Sequence, residues 1–210
     1  YRDVWITEGF ATLASVLFLQ KKMPAGRFDG MIGRLKHWVF KNAASGPLVY
    51  GQRIADLEGG AEAFQSVVYL KSALVLLMLK DMLGEEDFFA RLRGCLEKFK
   101  YKSVTSAMLV DEIGRHEKWL HDFFAGWVFS RKIPEVSCRV RLDGKTAELS
   151  VTQKETAFVF PLQVRIETAA GRKNLQVIVT DREQTFFFNE AAAFKTLAVD
   201  AGYAPVLIRD

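Results

Sequence analysis

The sequence predicts an α+β, multidomain chain: a helical unit over residues 1–134, then a small β-sandwich over residues 135–210. Apolar residues recur at helical spacing as far as Pro134 and alternate with polar residues beyond it, a change of period that separates helix from strand. Turn signals then punctuate the second part at short intervals, as in an antiparallel sandwich. A length of 210 residues, half of them hydrophobic and 26% charged, suits one large or two modest globular domains.

The first helix covers residues 4–22 and ends before Met23-Pro24. A second follows at Arg27–Asn42, where Phe28, Ile32, Leu35 and Val39 fall at helical spacing. Residues 43–62 hold Gly46, Pro47, Gly51, Gly59 and Gly60 and are expected to form a long loop, of a kind that is often functional. Residues 63–83 are apolar on nearly every face, which marks a helix buried among others, with Gly84 as its stop. Further helices are expected at Glu86–Phe99, Thr105–Ile113 and near Glu117–Phe129.

After Pro134, Val136, Cys138, Val140 and Leu142 alternate with polar residues up to Asp143-Gly144, a strong hairpin signal from which Ala147–Val151 returns. Runs at 157–166, 175–179, 185–188 and 194–199 are the remaining strands, with Gly171-Arg172-Lys173-Asn174 expected as another turn. Phe186–Phe188 reads as an interior or edge strand. There is no internal repeat and no low-complexity tract.

The net charge is +4, and the basic residues are dispersed rather than gathered, which argues against a nucleic-acid partner. Cys95 and Cys138 fit neither a disulfide framework nor a CxxC metal site. The most apolar stretches, 4–20 and 67–79, are too short for a membrane span or are broken by Glu8 and Lys71, so no span is expected. Tyr1 leads straight into a helical pattern without a basic leader, and the chain is expected to be an internal piece of something longer.

Glu8 is the only charged side chain from Val4 to Gln20. A carboxylate in apolar surroundings is costly unless it is paired, hydrogen-bonded or bound to a metal. On a helix it shares a face with Ala11, Thr12 and Ser15, small residues that leave room for another group to approach. The alternative is an acid near a helix N-terminus, favoured there by the dipole and reached by water.

Residues 116–121, HEKWLH, invite comparison with the HExxH zinc helix, in which histidines at i and i+4 share a face. Here the spacing is i, i+5, which on a helix turns the two rings about 140° apart. His116 and His121 are therefore not expected to chelate one ion, and the sequence holds no self-sufficient zinc site.

Read together, the opening and buried helices carry a resemblance. DVWITEGFA at 3–11 resembles the NEGFA segment of the zinc aminopeptidases of the gluzincin clan, the family of membrane alanyl aminopeptidase and leukotriene hydrolase. VVYLKSALVLLMLKDMLGEEDFF at 67–89 is similar to that family's YxKG helix. GPLVYGQRI at 46–54, YKSVT at 101–105 and WLHDFFAGWVFSRKIPEV at 119–136 resemble, in family order, the rest of a catalytic domain and its exit. The implied fold is the all-helical part of a gluzincin (thermolysin-like) catalytic domain followed by a β-sandwich.

The resemblance implies that Glu8 is the third zinc ligand, completing a shell whose two histidines come from HExxH and leaving one position open for water. Family spacing puts the second histidine roughly a dozen residues before Tyr1. It also implies that Tyr69 is the catalytic tyrosine, donating to the oxyanion of the tetrahedral intermediate. The cofactor would be Zn2+ bound by the full-length protein, the substrate a peptide cut at its N-terminus, and this chain by itself inactive. Truncated faces beside Glu8 and Tyr69 would leave an apolar groove through which the isolated piece self-associates.

Three positions depart from the family pattern. Thr7 stands for the usual asparagine, Ser72 for the YxKG glycine, and Ser15 for a glutamate that in many relatives steadies a zinc-bound histidine. Loss of such a partner weakens metal affinity or activity roughly tenfold or more. The sequence thus carries a second expectation, a catalytically inactive aminopeptidase-like scaffold or protein-interaction module. A third is that residues 135–210 act alone as a docking sandwich.

Overall fold

The computed structural model describes residues 2–49 and 60–209. The chain divides into two compact units, Tyr1–Lys132 and Ile133–Asp210.

In the first unit α1 (Val4–Lys22) and α2 (Ala25–Lys41) lead to a single 3-10 turn at Ala43–Ser45. Helix resumes at Gly60, so the expected loop at 43–62 is shorter at both ends, and its centre, residues 50–59, lies outside the described residues. Residues 60–83 then run as one continuous helix of three kinds: α3 (Gly60–Phe64), a π segment (Gln65–Lys71) and α4 (Ser72–Leu83). Residues 71–79 are all buried, and from Ala73 on they are apolar on all sides, as the pattern requires. Gly84, at φ 80°, supplies the left-handed turn that separates α4 from α5 (Glu85–Phe99).

Helices α6 (Ser106–Gly114) and α7 (Lys118–Trp127) complete the unit. Arg91 of α5 is buried and ties these helices together. It donates to the Ile113 carbonyl at 2.6 Å and to Glu117 at 2.5 Å, while its own-turn partner is Asp87 at 2.9 Å. Buried, paired and hydrogen-bonded, this guanidinium meets the conditions for a tolerated internal charge.

The buried stripe of α1 is Trp5, Gly9, Leu13 and Val16. Gly9 sits where α1 meets the π segment and α4. A Cβ added there would lie 2.6 Å from the Ser72 Cβ. Ser72, whose hydroxyl donates to the Val68 carbonyl, therefore fits because its neighbour has no side chain. Gly9→Ala is expected to destabilise the protein by roughly 1–3 kcal/mol in urea unfolding through overpacking. Adding Ser72→Gly is expected to restore most of that loss; no recovery would show that the contact is not the cause.

The second unit is a sandwich of two sheets. One has the order β5-β2-β1-β7, from β1 (Glu135–Asp143), β2 (Thr146–Gln153), β5 (Glu183–Asn189) and β7 (Leu207–Arg209). The other has the order β4-β3-β6, from β3 (Phe160–Thr168), β4 (Gly171–Val179) and β6 (Phe194–Asp200). Leu149, Val151, Phe160, Leu162, Val164 and Val179 are buried in its core. Asp143 pairs with Thr146 across the expected two-residue turn, with Gly144 at φ 57°. Phe187 is exposed on β5, an edge strand.

Two expectations fail here. Gly171–Asn174 is not a turn but the start of β4, paired with Thr168 back to Arg165; the chain turns at Ala169-Ala170. These four residues, Gly171 and three polar ones, are exposed on the strand, so a solvated sheet face imitated a turn in composition. β7, three residues that pair in parallel with β1, was missed because it is too short to show alternation.

Candidate active site

Two fixed points position Glu8. At the start of α1, the Asp3 carboxylate accepts from the Ser106 amide at 2.9 Å and also from its hydroxyl, while the fully buried Trp5 indole donates to the same hydroxyl at 2.8 Å. This cluster caps the first turn of α6 and binds it to α1. One turn on, Gly9 lies against Ser72. Glu8 lies between these anchors, half-buried.

The group that approaches Glu8 is Tyr69. Its phenol faces Glu8 across the junction of α1 and the π segment, near enough for the carboxylate to act on its ionisation. Burial first, then the Glu8 carboxylate as acceptor and as negative charge, push the phenol's pKa above the ordinary tyrosine value. Tyr69 thus stays protonated, and a donor, well beyond neutral pH. The Phe64 ring meets the Tyr69 ring edge-on, with centroids 5.8 Å apart, and fixes its plane.

The rest of the small-residue face is open. Ala11 and Ser15 are exposed, and the hydroxyls of Thr12 and Ser15 donate to the carbonyls of Glu8 (2.7 Å) and Ala11 (3.1 Å) of their own helix. Ser15 therefore offers no carboxylate-like acceptor to a metal-binding neighbour.

As a donor, a carboxylate such as that of Glu8 suits zinc, which takes Asp or Glu oxygen beside histidine nitrogen. Among the described residues no group of three or more His, Cys, Asp or Glu could hold a metal ion. Glu8 is one carboxylate of that chemistry, and the described residues do not complete a shell around it. His116 and His121 do not contribute: His116 lies in the turn before α7, and the His121 ring is bonded to the Arg115 carbonyl at 3.0 Å. The geometry differs from two rings on one helix, because His116 precedes α7 rather than lying on it. An apolar hollow of about 610 Å³, lined by Ile6, Phe10, Leu96, Phe99, Val104 and Leu109, is also separate, since positions 6 and 10 lie roughly 160° around α1 from Glu8.

Lys71, missed as a site residue, is fully buried two positions beyond Tyr69. Its signal was legible, because it is the only charge between Glu62 and Lys80 in an apolar helix. Burial lowers its pKa to about 8. The folded protein therefore releases this proton before the unfolded chain does, so the stability contributed rises from pH 8 toward the ordinary lysine pKa and is lost again as pH falls back to 8. Urea unfolding of parent and Lys71→Met at pH 7 and pH 10 is expected to show their stability difference shifting by on the order of 2–3 kcal/mol in the parent's favour at the higher pH. A difference that does not change with pH would contradict this.

No described helix is long and apolar enough to cross a membrane. The model of the peptidase family M1 domain matches residues 1–127. Endoplasmic reticulum aminopeptidase 2 of Bos taurus is 32% identical over 107 residues, covering 50% of this chain and 11% of that protein. Leucyl aminopeptidase of Saccharolobus solfataricus is 25% identical over 150 residues, covering 70% and 19%. The crystal structure of Legionella pneumophila aminopeptidase A in complex with aspartic acid superposes with a TM-score of 0.72 at 14% identity, over 99% of this chain and 24% of that one. The chain spans between 11% and 24% of the length of these relatives.

Proposed function

The chain belongs to peptidase family M1, and we propose that it is part of a zinc aminopeptidase that removes N-terminal residues from peptides, with Glu8 as a zinc ligand and Tyr69 as the oxyanion donor. The observation that carries this reading is that Glu8 and Tyr69 face each other across two packed helices, close enough for the carboxylate to raise the phenol's pKa. When bound, zinc would activate a water and polarise the scissile carbonyl. Glu8 would contribute a carboxylate oxygen from a helix anchored at both ends of its first two turns. Tyr69, protonated and held in plane by Phe64, would turn its hydroxyl from Glu8 to the oxygen on which charge develops.

The full-length protein is expected to cleave a peptide with a free amine and to leave its N-acetylated counterpart intact. Internal cleavage of the acetylated peptide would contradict an exopeptidase. Zinc binding without cleavage of either would favour the second reading, an inactive scaffold, which the inward-bonded Ser15 supports. Ser72 lends that reading less weight, because its place against Gly9 gives it a packing role.

The chain by itself is proposed to be inactive and to self-associate through exposed apolar surface. Sedimentation showing a monomer at high concentration would count against the association, and hydrolysis by the chain alone against the inactivity.

A further inference from the structure

Lys71 is a buried ammonium that the chemistry above does not use. It donates to the Ser130 carbonyl at 3.2 Å, and among the described residues no carboxylate acts on its charge. Ser130 lies just past α7, in a segment already held because the Leu48 and Val49 amides both donate to the Val128 carbonyl, at 3.0 and 3.2 Å. Side chains two apart on a helix point to nearly opposite sides. Thus Tyr69 reaches α1 from one side of the π segment while Lys71 reaches the α7 exit from the other.

The seven-residue π segment gives this tie its meaning. A π turn inserts an extra residue into a helical ladder and rarely persists unless surrounding contacts hold it. Relaxation to α-helix would rotate everything on one side of it relative to the other. Ser72 against Gly9 fixes the C-terminal side, and the Tyr69 hydroxyl is the group whose aim depends on the register between. A buried, desolvated ammonium is an expensive way to make one hydrogen bond to a carbonyl, and a Met would fill the space without that cost.

We infer that Lys71 is a positioning residue: by pinning the π segment to the Ser130 carbonyl it sets the direction of the Tyr69 hydroxyl. This rests on the reading of Tyr69 as the oxyanion donor.

The test is a double-mutant cycle in the full-length protein, with Lys71→Met and Tyr69→Phe alone and together, scored by zinc content, kcat and KM on an aminoacyl-p-nitroanilide. Lys71→Met is expected to keep its zinc and its KM while kcat falls roughly 10- to 100-fold, the scale of a misaimed catalytic group. In the Tyr69→Phe background the same change is expected to do nothing more. In parallel, 3-fluorotyrosine NMR, with Tyr69 assigned by its absence in Tyr69→Phe, is expected to show its resonance displaced in Lys71→Met, with or without activity.

An unchanged kcat, a loss that simply adds to that of Tyr69→Phe, or an unmoved Tyr69 resonance would overturn the inference. If the parent does not hydrolyse, the peptidase reading fails, and the resonance alone decides whether Lys71 aims Tyr69. If Lys71→Met does not fold, Lys71→Gln, which keeps a donor but shortens its reach, takes its place. Failure of both to fold would assign Lys71 to holding the fold, against the inference.

Discussion

Glu8→Ala is expected to cost the full-length protein its zinc and, with it, its activity. A carboxylate that ligates a metal directly should matter more than an outer partner, whose loss costs roughly 10- to 100-fold in affinity. Competition against a chelator should therefore show a drop larger than that. The fold should survive, because Glu8 is half-buried, while the anchors around it are Trp5 with Ser106 and Gly9 with Ser72. Removing Glu8 also takes its carboxylate away from Tyr69, so the phenol's titration should move down toward the ordinary tyrosine range. Unchanged zinc affinity in Glu8→Ala would make it a structural acid near a helix terminus.

Tyr69→Phe should separate chemistry from metal binding. Removing one oxyanion donor costs about 10²–10³-fold in kcat, or roughly 3–4 kcal/mol of transition-state stabilisation. KM and zinc content are expected to hold, because the hydroxyl is lost while the ring stays against Phe64. A rise in KM with kcat intact would instead make Tyr69 a substrate-binding group.

Much of this arrangement was legible in the sequence, and for a physical reason in each case. Val4–Lys22 is readable because its apolar stripe and Met23-Pro24 stop agree, and residues 73–79 because a helix without a polar face must be buried. Glu8 stood out as a lone charge. What could not be read is what depends on distance or on backbone irregularity. The π segment has the composition of ordinary helix, and only the packing around it reveals the added residue. Ser72 looked like a departure of unknown effect until Gly9 was found opposite it. The β4 start was misread because exposed strand and turn share the same polar residues. Lys71 was noticed only as a break in hydropathy, although the reasoning applied to Glu8 covers it equally.

The central claim is that Glu8 and Tyr69 form part of one zinc site. The most direct measurement is an anomalous-difference map of the full-length protein recorded at the zinc edge. The expected result is a single peak about 2.0–2.2 Å from a Glu8 carboxylate oxygen, with the Tyr69 hydroxyl facing the open side of the ion. A well-ordered Glu8 with no peak beside it, still facing Tyr69 in zinc-containing crystals, would contradict it.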